Sequence, residues 1–498
     1  YVIFDLHRSS SLVDSASSSY ALRGLLVAQF FGAFNDNAWK LMVALLAIKQ
    51  LAVSAGLSGT AFEVAAQGQT TQAFVIFTLP LMLVSAIAGV FSDRLSKRTV
   101  IIVMKGVEIL LMGAGTLALW INPAGGILPL IVLAGMGAQS ALFSPSKYGI
   151  LPELLPHHRL SWGNGQMELW TFVAIIAGTA VAGPLLDLAG SAPWLAGLVL
   201  CLCSGAGFAA SLLIPPVPRA RTTGGIRETW VAALDALRTD RILALGVLGS
   251  IAFWTVASLV GQNVLIYAKA VLQLSDTLAG FPLAAFGVGV GVGAFLAGSI
   301  SAKKVELGFI PLGGFGIIAC LVLLGAASPQ LGGTLAAMAC LGLSSGFVVV
   351  PLNALIQWKS PPDRRGAVIA LSNTMVFGGV LAGSIGSGLL SAIGFSAGTI
   401  FIIAGLGSAL LTGWALWLLP ETFIRFVLVL VTHTLYRLTI TGRDHIPDQG
   451  GALLLPNHVS FIDGLLLLAA TDRRIRFLVD QQYYDHPLLH PFGKVMGA

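Results

Sequence analysis

Along most of the chain, apolar residues run for about twenty positions at a time, separated by short polar punctuation. A helix of that length crosses the ~30 Å hydrocarbon layer of a bilayer. Twelve such runs are predicted, near 22–50, 70–92, 99–120, 127–150, 163–189, 193–214, 241–271, 277–300, 307–328, 332–356, 366–394 and 396–419. Residues 1–20 form a Ser-rich polar segment, with no short apolar run and small-residue cleavage site to mark a signal peptide. Both ends read as cut, since the chain opens on Tyr1 and stops at Ala498 in mid-pattern. The pattern changes after Pro420: residues 420–440 predict a helix lying on or dipping into the membrane, with a thirteenth span as the alternative. Residues 441–498 read as part of an α/β domain, in which an apolar strand from Gly451 runs into a polar turn.

Composition supports the membrane reading. Charged residues make up 10% of the chain, against about 25% in a soluble domain. Hydrophobic residues make up 56%, and the mean hydropathy is +0.87. The 59 glycines suit helices packed closely in lipid. The net charge of +6 could suggest nucleic acid, but its distribution says otherwise. Basic residues gather in alternate loops: Arg94, Lys97 and Arg98; Arg159; Arg219, Arg221, Arg227 and Arg238; Lys303 and Lys304; Lys359, Arg364 and Arg365. The loops near 121–126, 189–193, 328–333 and 394–397 have no Lys or Arg. The positive-inside rule assigns the basic loops and both ends of the membrane part to the cytoplasm. The four cysteines lie in apolar runs, without metal-ligand spacing or a disulfide framework.

The two halves look like a parallel repeat, the architecture of alternating-access transporters. Residues 21–214 form one six-helix half and 241–419 the other, with 215–240 as the loop between them. Gly89-Val-Phe-Ser-Asp93-Arg94 echoes Gly298-Ser-Ile-Ser-Ala302-Lys303, and Ser144-Pro145-Ser-Lys147 echoes Val350-Pro351-Leu-Asn353. Charges inside spans are costly, so they mark cavities or partners. Asp36 and Lys40, four apart in the first run, either neutralise each other on one helix face or serve a cavity. Lys147 has no local partner, and its repeat equivalent is Asn353. Glu168 is a third buried charge, or else sits near the cytoplasmic end of its span. Asn37 lies beside Asp36.

The string Gly89-x-x-x-Asp93-Arg94-x-Ser96-Lys97-Arg98 resembles the loop signature of the major facilitator superfamily, with Ser96 in place of a usual Gly. An Asp near a helix end there can hold a cation across the half-interface and act as a gate. More specific strings resemble the bacterial lysophospholipid transporter family over residues 20–419. They are Ala28-Gln-Phe, Phe34-x-Asp36-Asn37, Ser144-Pro-x-Lys147-Tyr-Gly-Ile-Leu, Asn164-Gly-x-Met-Glu168 and Phe347-Val-Val-Val-Pro351-Leu-Asn-Ala-Leu-Ile-Gln357. The resemblance implies movement of lysophospholipids across a bacterial inner membrane toward the cytoplasmic leaflet. Asp36 and Lys147 then match polar positions of the headgroup cavity, one for an ammonium and one for a phosphate. The seventh span departs from the family pattern: it reads Val260-Gly261-Gln262-Asn263 where the family carries a basic residue. Gln262 and Asn263 are candidate headgroup hydrogen-bonders in its place.

Near the end, Gly451-Ala-Leu-Leu-Leu-Pro-Asn457-His458-Val-Ser460-Phe-Ile-Asp463-Gly464 resembles the first block of glycerolipid O-acyltransferases. The resemblance makes His458 the general base and Asp463 its orienting partner. A later Pro-Glu-Gly type phosphate turn does not occur before Ala498, so the domain is expected to be incomplete. No cofactor is expected in this chain; acyl-acyl carrier protein is the donor implied for a longer parent, and lysophospholipid and membrane lipids are the other implied partners. Two rival readings remain: a superfamily transporter of a water-soluble solute or drug, and a transport-inactive anchor for an acyltransferase.

Overall fold

A computed structural model of the chain describes residues 6–55, 59–217, 226–274, 280–301, 306–327, 329–418 and 420–435, and in the last stretch chiefly 450–457, 463–470, 475–478 and 480–485. His458, Ala302–Lys304, Arg219 and Arg221 lie outside the described residues, as does the side chain of Asp93. The long helices are α1 (Leu6–Ala55), α2 (Gly59–Arg94), α3 (Lys97–Ile121), α4 (Ile127–Gly149), α5 (Leu160–Ala189), α6 (Trp194–Ser211), α7 (Arg241–Ala270), α8 (Phe281–Ile300), α9 (Phe309–Ala327), α10 (Leu331–Lys359), α11 (Arg365–Ala392) and α12 (Ala397–Leu418). Ten of them, α3 to α12, are long and apolar enough to cross a membrane, and α1 and α2 complete the twelve. The helix of α1 begins within the polar N-terminal segment. Large apolar side chains stand outward on the spans, as Leu188, Leu410 and Trp417 do, where lipid replaces water.

The chain repeats itself in space. In the first half α1 packs on α5, α2 on α4 and α3 on α6; in the second α7 packs on α11, α8 on α10 and α9 on α12. Each half has its own apolar core, one around Trp39, Met112 and Met136 and the other around Tyr267, Phe401 and Met338. Pro80, Pro145, Pro184 and Pro351 all lie inside helices, and Pro282 sits in the first turn of α8. In lipid a proline is tolerated because neighbouring helices satisfy the freed carbonyl. Asp240 caps α7, accepting from the backbone N–H groups of Ile242 at 2.8 Å and Leu243 at 3.1 Å.

Glycine decides how near the helices come. Gly289 and Gly293 on α8 face Gly342 and Gly346 on α10, four apart on each helix. A Cβ on Gly342 would meet the Phe286 carbonyl oxygen, Val290 N at 2.7 Å and Gly289 Cα at 3.0 Å, all of them backbone. Small residues at that spacing let two backbones touch and pack without a hydrophobic driving force.

The two halves meet through two equivalent pairs, α2 with α11 and α5 with α8. Both contacts include the end that carries the basic loops. A Cβ on Gly89 would strike Ala370 Cβ at 2.8 Å and Ala367 Cα at 3.0 Å, and one on Gly165 would strike Ala294 O at 2.5 Å and Gly298 Cα at 2.9 Å. At this end the inter-half segment forms an amphipathic helix, Ile226–Thr239, whose Ala233 and Ala236 pack with Leu243, Ala367 and Val368.

Beyond α12, the helix Pro420–Leu435 lies against the start of α9, with Phe426 and Phe309 rings 4.9 Å apart. The helix Asp463–Ala470 packs on it in turn. No strand occurs among the described residues; 451–457, expected as a strand, is neither helical nor paired in a sheet. A strand exists only when a neighbour accepts its backbone hydrogen bonds, and none does so among the described residues.

Gly342→Val should therefore force α10 off α8. We expect a stability loss of about 1–3 kcal/mol, the usual cost of overpacking, read as a lower midpoint of thermal unfolding in detergent. Gly113→Val, where a Cβ meets nothing within 4 Å, should leave the midpoint nearly unchanged.

A charged cavity between the two halves as the candidate functional site

Between the halves lies a cavity of about 470 Å³, walled by α1, α2, α3, α4, α5, α7, α10 and α11. A cavity of that size with a few placed polar groups has the form of a ligand site. Asp36, Asn37, Lys40, Lys147, Glu168 and Asn353 all line it. Six residues that stand out in the sequence, from four helices, thus meet in one space.

The local geometry of each charge follows from its neighbours. Asp36 Oδ2 accepts from Ser140 Oγ on α4 at 2.7 Å. Lys40 makes no ion pair with Asp36: its Nζ donates to Asn37 Oδ1 at 3.0 Å and lies 5.3 Å from the Phe77 ring centroid. Asn37 Nδ2 donates to the Ala33 carbonyl at 2.8 Å. Lys147 Nζ donates to Gln29 Oε1 at 3.1 Å and lies 4.8 Å from the Tyr148 ring centroid. Gln29 is held in turn by Thr171, its Nε2 donating to Oγ1 at 2.9 Å. Among the described residues, none of Asp36, Lys40 and Lys147 forms an ion pair. The i,i+4 neutralisation of Asp36 by Lys40 is therefore not what the fold adopts.

Two further charges on the wall, Lys105 and Glu108, escaped sequence analysis. Lys105 Nζ meets Glu108 Oε2 at 2.7 Å, and both are almost wholly buried. Glu108 Oε1 also accepts from Asn35 Nδ2 at 2.9 Å and Ser204 Oγ at 3.3 Å. The signal was present as a Lys and a Glu three apart inside an apolar run. This pair is satisfied internally, which separates it from the open charges at Asp36 and Lys147.

The floor of the cavity, toward the basic loops, is a two-rung polar ladder across the half-interface. Asn164 on α5 and Gln357 on α10 exchange reciprocal amide hydrogen bonds, each 2.8 Å, with both side chains buried. One turn farther along each helix, Asn353 Nδ2 donates to Glu168 Oε1 at 3.1 Å. Tyr148 OH donates to the same oxygen at 3.2 Å. Asn373 Nδ2 on α11 adds a third crossing to Ser144 Oγ at 3.0 Å. Glu168 thus lies at the floor of the cavity, between the halves.

The remaining predicted residues fall elsewhere. Gln262 is exposed, and Asn263 is buried with its Nδ2 donating to the Ala397 carbonyl at 2.8 Å. Neither lines the cavity, which α7 reaches through Ser250 and Trp254. Gly89 sits in the α2–α11 contact. Lys97 forms a buried ion pair with Glu153, and Arg98 Nε donates to the Ile214 carbonyl at 2.5 Å, so both are engaged within the first half rather than across the interface. Arg94 is exposed at the end of α2. Asp463 opens the helix Asp463–Ala470, remote in sequence from the cavity. Among the described residues no cluster of His, Cys, Asp and Glu could hold a metal.

Breaking the lower rung should loosen the floor. Gln357→Leu leaves the buried Asn164 Oδ1 without its donor, while Nδ2 keeps the Leu160 carbonyl, and this costs the closed state about 1–3 kcal/mol. We expect faster thiol labelling of Ile369→Cys, which packs against Gly149 at this end, in the Gln357→Leu background. The Asn164→Leu/Gln357→Leu double variant should label more slowly than the single one, since two apolar partners leave nothing unsatisfied.

Residues 25–384 match the Major Facilitator Superfamily, and residues 437–498 match the Acyltransferase family. Over 365 residues the chain is 29% identical to the lysophospholipid transporter of Klebsiella pneumoniae subsp. pneumoniae, covering 71% of this chain and 85% of that one. It is 30% identical over 365 residues to that of Salmonella paratyphi B, covering 71% and 84%. Among solved structures, the human organic anion transporter MFSD10 superposes with a TM-score of 0.64 at 14% identity, covering 80% of this chain and 99% of that one. The E. coli fucose:proton symporter superposes with a TM-score of 0.61 at 15% identity, with coverage of 80% and 99%. Two six-helix halves around a charged cavity and these relatives lead to one conclusion: the chain belongs to the major facilitator superfamily, to its lysophospholipid transporter family, and ends in a region that matches the acyltransferases.

Proposed function

We propose that the protein moves lysophospholipids across the bacterial inner membrane to the cytoplasmic leaflet, with the headgroup carried in the cavity between the halves. The observation that carries this reading is the pair of open charges, Lys147 and Asp36, on one cavity wall. Ser140, which binds Asp36, lies seven residues before Lys147 on α4, roughly 10 Å along the helix. A phosphate on Lys147 and an ammonium on Asp36 suit the reach of an ethanolamine headgroup. Each contact is a charge-assisted hydrogen bond in a site shielded from bulk water. The relatives named lysophospholipid transporters favour the same substrate class.

On this reading the basic loops face the cytoplasm, as the positive-inside rule requires. The acyltransferase region then lies on the side where the lysolipid arrives, and in a longer parent would re-acylate it, with acyl-acyl carrier protein as donor and His458 and Asp463 as base and orienting partner. Covalent linkage of the two activities raises the local concentration of the delivered lipid. Gly89, Asp93 and Arg94 belong to the moving contact between α2 and α11.

The test is reconstitution in liposomes carrying labelled lysophosphatidylethanolamine. Wild-type protein should move the label across the bilayer. Lys147→Ala should lower transport efficiency about 10- to 100-fold, the equivalent of losing one hydrogen bond to a charged group, and Asp36→Asn should lower it in the same direction. Water-soluble sugars should not compete. Folded protein that moves no label above empty liposomes would overturn the proposal.

A further inference from the structure

The floor of the cavity offers a second acceptor that headgroup binding leaves unused. Glu168 is almost wholly buried, yet it lines the cavity. Its Oε1 takes both hydrogen bonds, from Tyr148 OH and Asn353 Nδ2. Among the described residues, Oε2 accepts none, and it is not one of the polar atoms sealed without a partner. One carboxylate oxygen therefore holds the floor together, and the other is presented to the cavity.

Its position relative to Lys147 is fixed by one tyrosine. The Lys147 ammonium lies 4.8 Å from the Tyr148 ring centroid, and the hydroxyl of that ring donates to Glu168 at 3.2 Å. No ion pair joins Lys147 to Glu168 among the described residues. Cation and acceptor thus line the same cavity, linked through one tyrosine and not paired with each other. The two sit on different helices, α4 and α5, and Asn353 of the opposite half clamps the acceptor in place.

A lysophospholipid differs from an ordinary phospholipid by one free hydroxyl on its glycerol, two carbons from the phosphate ester oxygen. With the phosphate on Lys147, that hydroxyl falls within reach of Glu168, since two hydrogen bonds of about 2.8 Å and the short glycerol segment span roughly 10 Å. We propose that Glu168 Oε2 accepts a hydrogen bond from this free glycerol hydroxyl and so selects lysophospholipids over their fully acylated or hydroxyl-free counterparts. This inference rests on the transport reading above. The physical reason is asymmetric. An O–H donor satisfies an open, buried carboxylate oxygen, whereas an ester or a bare methylene leaves it desolvated and unpaired. Sites built to hydrogen-bond a hydroxyl reject analogues that lack it strongly. The recognition is independent of the headgroup, because every lysophospholipid carries the hydroxyl.

The experiment compares two labelled lipids in proteoliposomes: lysophosphatidylethanolamine and its analogue built on propanediol, which lacks only the hydroxyl. Wild-type protein should move the hydroxylated lipid with a tenfold or greater advantage in transport efficiency. Glu168→Gln keeps an oxygen for Asn353 and Tyr148 but removes the second carboxylate oxygen, and it should shrink that advantage to threefold or less. Lys147→Ala should slow both lipids and preserve their ratio. Equal movement of the two lipids by wild-type protein, or a ratio unchanged in Glu168→Gln, overturns the inference while the transport reading stands. Movement of neither lipid by folded wild-type protein overturns both.

Discussion

The constraint on which the structure depends is the absence of water in the hydrocarbon layer. Backbone groups must then be paired within helices, and each charged side chain must find a partner or a cavity. The protein uses both solutions for its charges. Lys105 and Glu108 neutralise each other, with Asn35 and Ser204 filling the remaining acceptor positions. Asp36 and Lys147 take only neutral hydrogen-bond partners, Ser140 and Gln29, and so keep their charge available to something else. That division separates groups that hold the wall from groups that serve a ligand.

The same constraint shapes the contact between the halves. An ionic interface between the halves would be costly to desolvate. The fold instead brings backbones together at Gly89 and Gly165 and sets amide rungs beside them. Amide pairs are directional while closed, and water can replace them when the halves separate, at a modest net cost. Glu168 joins this interface to the cavity, because one of its oxygens belongs to the upper rung and its residue belongs to the lining.

Much of this was legible in the chain. The twelve apolar runs and the alternation of basic loops follow from hydropathy alone, since a span must be apolar whatever it packs against. Asp36, Lys147 and Glu168 stood out because a charge in such a run has few explanations. Lys97 and Arg98 were legible as loop cations, but their partners, Glu153 and the Ile214 carbonyl, lie 56 and 116 residues away, in the same half. The reciprocal pairing of Asn164 with Gln357 spans 193 residues and leaves no local pattern.

The seventh span shows where the limit falls. Its cavity face is set by Ser250 and Trp254, while Asn263 turns to α12 and Gln262 outward. A helix apolar all round gives no moment from which to choose an inward face, because lipid and protein core ask for the same residues. The sequence by itself determined the number of spans, their alternation across the membrane and which charges required an explanation, since transfer into lipid acts on each residue separately. Only the tertiary structure decided which face of each helix meets the cavity and which charges are neutralised, because those depend on side chains from distant helices meeting in space.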